Sequence, residues 1–470
     1  MQVYNTLTKQ KEEFIPINTG KVGMYVCGPT VYDYIHIGNI RAYIFADTLR
    51  RTLEDIGYEV RLIKNITDVG HLTADDIAQG DSGEDKVAKK AQKEHKTPEE
   101  IARFYEEYAL ATEKMMNVEP AHYFPRATAH IPQMIKLIEE LIAKGHAYEK
   151  NGNVFLDVTT FPEYGKLSGN TLANLEVGAR LEEHPDKKNP WDFALWLKAP
   201  AGHLMHWSSP WSEGYPGWHI ECSAMSMEYL GDTFDIHTGG EDNIFPHHEA
   251  EIVQSEGVTG KPFVKYWLHT RHMMVDGTKM SKSKGNFYVL EDVIAKGYTS
   301  MDFRMLLISA HYRSQMNFTW EALEQARKNK DTLFAIVERL DTFSSETDLP
   351  NGFDGATELE SIRTALQDDL NTPQALALTL ELCKKINGLL DKKEAVQVSA
   401  LQSVFEKVFF LFGLVQESIS APQEVEELAK ARDLARENKD WAESDRLRDL
   451  ITASGYKVED TPSGYRLKKL

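Results

Sequence analysis

Hydrophobic and polar positions alternate, and then repeat with helical spacing, near the start of the chain. The segment 21–26 (KVGMYV) places its apolar side chains on one face of a strand, and a Gly-Pro turn follows. A helix with apolar positions near a 3.6-residue period comes next, and Gly57 ends it before a second strand at 60–63. Its apolar residues are Ile40, Tyr43, Ile44, Leu49, Leu53 and Ile56. The pattern predicts a strand–helix–strand unit of nucleotide-binding type.

Two later apolar runs, at 234–237 and 267–275, predict strands of the same sheet, which is therefore assembled from two separated stretches of chain. The segment between these stretches has its own pattern, an apolar helix that ends at Gly145 and a hairpin that turns at Asn151 and Gly152. The helix carries Ile131, Met134, Ile135, Ile138, Leu141 and Ile142. We interpret this segment as an α+β insertion into a Rossmann-like parallel-sheet domain.

Beyond about residue 318 the apolar residues follow helical spacing only, in three stripes that predict a helical bundle. The stripes are Leu333, Ile336, Val337 and Leu340; Leu378, Leu382, Ile386 and Leu389; and Leu401, Val404, Phe405, Val408 and Phe412. The chain after Pro422 differs, because a charged helix containing Asp440 and Trp441 precedes a hairpin that turns at 461–464. This end of the chain predicts a small α+β domain.

Composition narrows the class of protein. The chain has 470 residues, of which 42% are hydrophobic and 27% charged, as expected of several folded domains. No apolar run approaches the ~20 residues of a membrane span, and the start lacks the apolar core of a secretory signal. We therefore expect a cytoplasmic protein with no membrane partner. The sparse cysteines, Cys27, Cys222 and Cys383, do not form a disulfide framework, which leaves metal ligation open.

The formal net charge of -19 argues, by itself, against a nucleic-acid partner. A large multidomain protein needs only a local basic track to contact RNA, however, while the rest of its surface stays acidic. The motifs must therefore decide this question.

Two motifs contain groups suited to phosphate. The sequence HIGN at 36–39 stands where the first predicted helix begins, and backbone N–H groups at a helix N-terminus bind phosphate. Taken alone, such a tetrapeptide is more often a turn with an ordinary capping residue. The sequence KMSKS at 279–283 follows a strand of the same sheet and would bring mobile cations to a phosphate. Lone lysine-rich loops are usually solvated surface, but the two motifs in this order are highly specific.

A third group of residues has the chemistry of metal ligands. In PHHEAE at 246–251, one helical turn would place His247 and Glu251 on the same face, a spacing able to chelate a metal, although such clusters are more often polar helix starts. Cys27 and Cys222 would supply thiolates. Their distance along the chain leaves open whether they converge on the same point.

The HIGN and KMSKS pair resembles the class I aminoacyl-tRNA synthetases. Blocks spread over residues 24–319 are similar to cysteinyl-tRNA synthetases in particular: CGPTVYDYIHIGN, NITD, PGWHIECSAM, FDIHTGGED, FPHHEAE, MSKSKGN and HYRSQMNFT. The resemblance implies an ATP-dependent, AMP-forming ligase. Such an enzyme activates L-cysteine to cysteinyl-adenylate and pyrophosphate, and then transfers cysteine to the 3′-terminal adenosine of tRNA(Cys).

The resemblance also implies roles for individual residues. The zinc ligands would be Cys27, Cys222, His247 and Glu251, with one Zn²⁺ per subunit. ATP, with Mg²⁺, would contact His36, Gly38, Asn39, Lys279, Met280, Ser281, Lys282 and Ser283, and the catalytic residues would be His36, Lys279 and Lys282. The cysteine pocket would comprise Gly28, Thr30, Thr67, Trp218, His237 and Asp242. Asn39 departs from the second histidine of the family's HIGH motif, which puts the electrophilic role at that position in doubt.

Zinc gives this pocket a chemical reason. Serine and cysteine differ by one atom, and zinc binds a thiolate far better than an alcohol, so direct ligation of the substrate sulfur would make a separate editing domain unnecessary. Four protein ligands would fill a tetrahedral site, however. Either Glu251 binds weakly or the metal becomes five-coordinate when cysteine enters.

Domain boundaries follow from the patterns and the resemblance together. The catalytic domain comprises 1–120 and 206–290, and the connective insertion 121–205. A stem-contact region at 291–320 follows the KMSKS loop, an anticodon-binding helical bundle spans 321–415, and a small C-terminal domain spans 422–470. In that domain Trp441, Asp445, Arg446 and Arg448 would contact tRNA. An ordinary amphipathic helix with Trp441 in a small core is at least as consistent with the pattern.

Two rival functions remain. A ligase that adenylates cysteine but passes it to an amino sugar would keep every motif through KMSKS, yet it would not need the helices after residue 320. An inactive RNA-binding homologue would be expected to lose its active-site motifs, which are present here. We expect a monomer that binds tRNA(Cys), L-cysteine and ATP. The acidic segment 74–84 has no functional interpretation beyond a mobile loop.

Overall fold

The computed structural model describes residues 1–69, 72–74, 82–175, 185–281, 285–342, 348–416, 422–461 and 464–469. Lys282 and Ser283 of the lysine-rich motif, and 75–81 of the acidic segment, lie outside these ranges. The chain forms two compact units. One consists of Met1–Leu333, Gly355–Ile386 and Ser403–Leu414, and the other of Phe334–Asp354, Asn387–Gln402 and Val415–Leu470.

The first part of the chain contains two strands of the parallel sheet and the elements around them. They are β1 (Gln2–Asn5), β2 (Gln10–Glu13), β3 (Lys21–Val26), α1 (Ile37–Asp55), β4 (Glu59–Lys64), β5 (Leu72–Ala74), β6 (Ser82–Asp85), α2 (Lys86–Glu94) and α3 (Pro98–Met115). The insertion and the return to the sheet comprise α4 (Ile131–Ala143), β7 (Ala147–Lys150), β8 (Asn153–Leu156), α5 (Leu172–Leu175), β9 (Phe193–Lys198), β10 (Trp207–Ser208), β11 (Glu213–Pro216), α6 (Trp218–Leu230), β12 (Phe234–Gly240), α7 (Glu249–Thr259) and β13 (Val264–Thr270).

The remaining elements are mainly helical. They are β14 (Met273–Val275), β15 (Thr278–Lys279), α8 (Leu290–Ala295), α9 (Ser300–Ile308), β16 (Met316–Phe318), α10 (Trp320–Asp341), β17 (Asp348–Phe353), α11 (Ala356–Gln367), α12 (Thr372–Asp391), α13 (Val398–Phe412), α14 (Gln423–Glu437), α15 (Trp441–Ala453), β18 (Tyr456–Thr461) and β19 (Gly464–Lys469). Among the helices of the described ranges, none is both long and apolar enough to cross a membrane.

A four-stranded parallel sheet in the order β13-β12-β3-β4 confirms the strand–helix–strand prediction and the assembly from two stretches of chain. The connection from β3 through α1 leads to β4 on one side, and the connection from β12 through α7 leads to β13 on the other. The chain direction across the sheet therefore reverses between β3 and β12. Ligands of open α/β sheets bind at such a switch point, at the carboxyl ends of the strands.

The strand predicted at 267–275 is two strands. β13 belongs to the parallel sheet, whereas β14 belongs to a separate three-stranded sheet in the order β15-β14-β16. The break falls at Arg271 and His272, whose backbone carbonyls accept hydrogen bonds from the Arg41 guanidinium on α1. The apolar pattern carries no information about hydrogen bonds between distant residues. The prediction of one continuous strand was therefore wrong at this point.

The predicted insertion helix and hairpin are confirmed. α4 buries one apolar face, and β7 and β8 meet in a turn where Asn151 and Gly152 have φ values of 58° and 89°. Both central residues of a tight hairpin turn need positive φ, which is why Asn-Gly predicts it. The strands extend into a five-stranded antiparallel sheet in the order β10-β11-β9-β8-β7. α4 packs beside α6, so this core is continuous with the helix that carries Cys222.

The charged helix predicted after Pro422 is two helices, α14 and α15. Lys439 between them has a φ of 61°, and the Asp440 carboxylate accepts a hydrogen bond from the Glu443 N–H as the N-cap of α15. The predicted hairpin is confirmed as β18 and β19. A small core holds this end together, formed by Val425, Ala429, Ile451, Tyr456, Val458 and Leu467.

Candidate active site and metal centre

A cavity of about 410 Å³ opens at the carboxyl ends of β3, β12 and β13, at the switch point of the sheet. Predicted metal, cysteine and nucleotide residues share its wall. They are Cys27, Gly28, Thr30, His36, Gly38, Asn39, Trp218, Asp242, Lys279 and Met280. Residues that the sequence did not single out complete the wall, including Tyr34, Glu241, His272 and Phe287.

The four predicted metal ligands converge. Single donor atoms of Cys27, Cys222, His247 and Glu251 all lie within 4.8 Å of one another. Cys27 follows β3, Cys222 lies on α6, His247 is in the turn before α7, and Glu251 is in the first turn of that helix. The expected one-turn spacing is present, since Nε2 of His247 and Oε1 of Glu251 are 3.1 Å apart.

The chemistry of this donor set fits a divalent cation. The Glu251 carboxylate is fully buried, and its Oε1 accepts no well-oriented hydrogen bond among the described residues, although Nε2 of His247 is 3.1 Å away. The thiol of Cys222 is buried beside it, and its hydrogen bond with Cys27, together with burial, raises its pKa well above the ordinary value. Burying several acidic groups together is costly unless a cation neutralises them. Two sulfurs, one imidazole and one carboxylate are a zinc-type set.

A second donor set overlaps the first and was not foreseen. Single donor atoms of Cys27, His237, His248 and Glu251 likewise lie within 4.8 Å of one another. Nε2 of His237 donates to Oε2 of the Glu251 carboxylate at 2.9 Å, and Nε2 of His248 lies 3.1 Å from Sγ of Cys27. These contacts place His237 and His248 directly beside the first four donors. Both donor sets combine cysteine, histidine and carboxylate, which are the ligands that zinc prefers.

Further buried histidines extend this network. Nδ1 of His248 is 2.7 Å from Nε2 of His269, and Nδ1 of His269 is 2.8 Å from the Thr6 hydroxyl. On the other side, Nδ1 of His219 is 3.0 Å from Nδ1 of His247. Sequence reasoning left His219, His248 and His269 unassigned. The first two stand inside the quoted blocks PGWHIECSAM and FPHHEAE, so histidine density in those blocks was the available signal.

His36 caps the helix that it begins. Its Nδ1 accepts hydrogen bonds from the N–H groups of Gly38 and Asn39 at 3.0 and 3.3 Å, and the Asn39 side chain accepts from the His36 N–H at 3.0 Å. These N–H groups are thus engaged by His36, as in the capping alternative, and phosphate binding at this motif stays a prediction. Because Nδ1 accepts, the ring proton belongs on Nε2, which makes Nε2–H a donor. Asn39 completes a capping box in this arrangement.

Lys279 ends a short hairpin that begins at β14. The turn residues Asp276 and Gly277 have positive φ, and Nζ of Lys279 lies 3.6 Å from the Asp242 carboxylate across the cavity. Arg41 of α1 anchors the base of this hairpin, because its guanidinium donates to five backbone carbonyls. These carbonyls belong to Arg271, His272, His311, Tyr312 and Ser314.

The predicted cysteine-pocket residues divide into two groups. Gly28, Thr30, Trp218 and Asp242 line the cavity, with the Trp218 ring stacked on His247 at a centroid distance of 4.4 Å. Thr67 and His237 are instead buried behind the wall. The Thr67 hydroxyl donates to the Glu221 carboxylate at 2.9 Å and accepts from Asn65 at 3.1 Å.

Gly28 is required where it stands. A Cβ at this position would lie 1.6 Å from the backbone oxygen of Asn65. The Gly28 N–H donates to the side chain of the same Asn65 at 2.8 Å. The two loops that follow β3 and β4 are therefore in direct backbone contact beneath the cavity.

The residues predicted to contact tRNA lie on α15. Trp441, Asp445, Arg446 and Arg448 are all exposed, and 58% of Trp441 is accessible. The alternative in which Trp441 fills a small core is therefore wrong. Arg446 pairs with Glu443, and Arg448 pairs with Asp445.

Comparisons with known proteins bear on this site. Residues 13–328 match the family model of the class I (C) tRNA synthetase catalytic domain, and residues 361–416 match the DALR domain. The cysteine–tRNA ligase of Chlorobaculum tepidum is 44% identical over 99% of this chain and 98% of its own length. The chain belongs to the cysteine–tRNA ligase family. The enzyme of Treponema denticola is 41% identical, with all of both chains covered.

Solved structures agree on the fold of this cysteine–tRNA ligase family member. The methionyl-tRNA synthetase of Mycobacterium tuberculosis, bound to methionyl-adenylate, superposes with a TM-score of 0.60 at 14% identity over 83% of this chain and 89% of its own. The leucyl enzyme of Agrobacterium radiobacter, solved with tRNA, gives 0.57 at 12% identity over 85% and 84%. The predicted fold class, a class I synthetase with a parallel sheet and a helical carboxyl-terminal part, is confirmed, and the chain is an aminoacyl-tRNA synthetase.

Proposed function

We propose that this chain joins L-cysteine to tRNA(Cys) in two steps and that zinc selects the substrate by its thiol. The observation that carries the proposal is the position of Cys27. This residue belongs to the four-donor set and also lines the cavity that contains His36 and Lys279. A sulfur ligand of the metal therefore borders the space where an adenylate would form.

Cys27, Cys222, His247 and Glu251 would hold the metal. When bound, a zinc ion supplies a Lewis-acidic position that favours a thiolate over an alcohol. Trp218 stacks on His247 and, with Thr30, limits the size of the amino acid side chain that reaches this corner. Asp242 lies on the cavity wall as a carboxylate able to bind the α-amino group of the substrate.

The activation step requires stabilisation of negative charge on ATP. The cysteine carboxylate attacks the α-phosphate, the bond to pyrophosphate breaks, and cysteinyl-adenylate forms. Nε2–H of His36 would donate to the phosphate as charge develops, because Nδ1 is fixed as an acceptor by the backbone of α1. Lys279 and Lys282 would pair with the leaving pyrophosphate, which Mg²⁺ accompanies.

The transfer step requires tRNA at the same cavity. The 2′-hydroxyl of the terminal adenosine would attack the activated carbonyl and release AMP, as the class I resemblance implies. We propose that the bundle at 321–415 and the domain at 422–470 bind the anticodon arm, with Trp441, Asp445, Arg446 and Arg448 exposed for this contact. We infer a cytoplasmic monomer, which size-exclusion chromatography and cell fractionation test. No observation favours the amino-sugar acceptor.

The test uses purified full-length chain with its metal content measured. Cysteine-dependent exchange of pyrophosphate into ATP reports the first step, and charging of tRNA(Cys) with labelled cysteine reports the second. Both activities are expected, with serine supporting far less exchange than cysteine. Exchange without charging would contradict the tRNA acceptor, and absence of exchange in folded, zinc-loaded protein would contradict the whole assignment.

A further inference from the structure

Three aromatic rings form a shelf beside the mouth of the cavity. Tyr34 lines the cavity wall, and its ring is 6.3 Å from Phe104 and 4.7 Å from Tyr108, centroid to centroid. Tyr34 and Phe104 remain 42% and 44% exposed. We call Tyr34, Phe104 and Tyr108 the aromatic shelf. It runs from the cavity wall onto the outer face of α3.

The shelf is a rigid structure. Tyr105 of α3 is buried beneath it, with its ring 5.1 Å from Tyr34 and 5.1 Å from Phe104. The Tyr108 hydroxyl donates to the Glu291 carboxylate, which fixes the outer ring. The exposed faces of Tyr34 and Phe104 therefore have supported edges and little rotational freedom to lose when a ligand stacks on them.

A lysine segment adjoins this shelf. Residues 86–96, which comprise α2 and the turn after it, contain Lys86, Lys89, Lys90, Lys93 and Lys96 with Glu94 as their acidic member. Nζ of Lys96 lies 5.1 Å from the Phe104 ring centroid, which joins the segment to the shelf. Glu94 is paired with both Lys90 and Lys96, so its charge is already offset. In a chain of net charge -19, such a local excess of positive charge is a specific feature.

We propose that the aromatic shelf and the lysine segment bind the unpaired nucleotides at the 3′ end of tRNA and guide the terminal adenosine to the cavity. The proposal rests on the tRNA-charging function proposed above. Exposed aromatic rings beside a basic track are the usual means of holding single-stranded nucleic acid, because rings stack on bases while lysines contact phosphates. The shelf is continuous with the cavity that contains His36 and Lys279.

A protein partner fits this surface less well. Interfaces between proteins favour aromatic residues and arginine at their centre but are depleted in lysine. Here the positive charge is entirely lysine, spaced along one helix and the turn that follows. The phosphates of an extended single strand of RNA could each meet one of these lysines.

The first experiment removes Phe104, one of the two exposed rings of the shelf. In Phe104→Ala, the KM for tRNA(Cys) in charging is expected to rise about tenfold, which is the size of effect seen when one stacking aromatic is removed. Pyrophosphate exchange needs no tRNA, and its rate should change by less than about threefold. Phe104→Tyr keeps a stacking ring and should restore charging, which excludes a folding defect. Tyr123→Ala is the matched control, because Tyr123 is also an exposed aromatic residue but is not part of the aromatic shelf.

The second experiment addresses the phosphates. In Lys89→Gln/Lys93→Gln, the slope of log affinity for tRNA(Cys) against log salt concentration should become shallower by about 0.7 for each lost contact. The control Lys21→Gln/Lys265→Gln removes two exposed lysines near the amino ends of β3 and β13, and its slope should match that of the parent.

The outcomes separate the two proposals. If the parent protein shows exchange and charging, the proposed function stands, and unchanged charging by Phe104→Ala or equal losses in charging and exchange would overturn the shelf. If the parent shows exchange but no charging of tRNA(Cys), the proposed function itself fails. Binding of tRNA that lacks its unpaired 3′ nucleotides completes the test. Phe104→Ala should weaken binding of the intact tRNA but not of the shortened one, and an equal effect on both would contradict the shelf.

Discussion

Cys222 lies where three other acidic side chains, Cys27, Glu251 and Glu221, oppose its ionisation. The hydrogen bond with Cys27, burial and the Glu251 carboxylate together raise the pKa of its thiol. A cation that binds between them removes this opposition, so the same residues that are costly to bury alone become a binding site. These residues are therefore suited to hold a cation.

We predict that Cys222→Ser loses most of its zinc and its preference for cysteine over serine together. An alcohol is a poorer ligand than a thiolate and resists deprotonation. Metal analysis by mass spectrometry, and exchange assays with both amino acids, check this. Cys383→Ser is the control, since burial raises the pKa of Cys383 to about 12 and the residue lies on α12, outside the donor set. Full zinc occupancy in Cys222→Ser would refute the assignment.

Asp47 is a buried carboxylate between two arginines. Burial alone would raise its pKa, but the charges of Arg304 and Arg51 outweigh burial and lower it. Arg304 is fully buried and also donates to the Phe412 and Met116 carbonyls. Because the folded pKa lies below the unfolded one, Asp47 stabilises the fold fully above its unfolded pKa, and this stabilisation is lost as pH falls through the folded value.

We therefore predict that Asp47→Asn lowers stability at pH 7 by about 3 kcal/mol, because it leaves buried arginines without their charge partner. Its stability should then fall less steeply than that of the parent below about pH 4, where the unfolded parent chain begins to bind a proton at Asp47 while the folded chain does not. Thermal unfolding between pH 7 and pH 3 measures both effects. Asp232→Asn, which removes an exposed ion pair with Lys261, should change stability by less than about 1 kcal/mol.

Residue roles were only partly accessible from the sequence. Spacing predicted the contact between His247 and Glu251, because four residues span one turn wherever that turn occurs. The meeting of Cys27 with Cys222 could not be derived from spacing, since it depends on how β3 and α6 pack; the resemblance supplied it. A capping residue at HIGN was one of the two interpretations that the sequence allowed, and the pattern alone could not decide between capping and phosphate binding.

At the scale of elements, α1 connects the two predicted motifs. His36 caps its first turn, and Arg41, less than two turns later, holds the carbonyls at the base of the β14–β15 hairpin. Burial lowers the pKa of Arg41 to about 10, which still leaves the guanidinium charged at neutral pH. One helix thus positions both of the predicted nucleotide-binding motifs.

We predict that Arg41→Lys reduces the rate of pyrophosphate exchange by about 10- to 100-fold while zinc content is retained. A lysine ammonium cannot serve both backbone segments that the guanidinium fork joins, and each hydrogen bond to a charged group contributes about 1.5–3 kcal/mol. Exchange kinetics with varied ATP measure the loss. Arg61→Lys is the control, because Arg61 is exposed beside the Tyr123 ring. An unaltered rate in Arg41→Lys would show that the hairpin is positioned without this tie.

Element types were predicted well where periodicity was long. α1, α4 and the β7–β8 hairpin agree with their patterns because apolar spacing and turn residues are local signals. The errors fell at short interruptions, between β13 and β14 and between α14 and α15. A tertiary hydrogen bond causes the first and a single positive-φ residue, Lys439, the second. The spacing of hydrophobic residues reveals neither the hydrogen bond nor the positive φ.

At the scale of the whole molecule, the proposed function assigns different parts of the chain to different parts of one tRNA. Trp441 is exposed on α15, whereas the aromatic shelf borders the cavity. Net charge does not reveal either surface, since -19 is a sum over the chain. The positions of individual aromatic and charged residues indicate these surfaces, whereas the overall composition does not.

We predict that Trp441→Ala reduces charging of intact tRNA(Cys) by about tenfold but leaves charging of a short acceptor-stem hairpin unchanged, because the hairpin has no anticodon to stack. Phe104→Ala should impair both substrates. Trp441 is mostly exposed, so its removal should alter the unfolding temperature little. Leu434→Ala, an exposed apolar change on α14, is the control. Equal losses on both substrates by Trp441→Ala would contradict an anticodon contact.

The order of strands in the parallel sheet has a consequence for the nascent chain. β12 lies between β3 and β13, so β3 and β4 leave the ribosome long before their neighbour is translated. Ribosomes add about 5–20 residues per second, which makes the delay on the order of ten seconds. A lone pair of parallel strands is not stable in water, so the N–H and C=O groups along this edge of β3 lack their strand partner in that interval. The yield of folded enzyme should therefore depend on the speed of translation through the insertion and on access to chaperones.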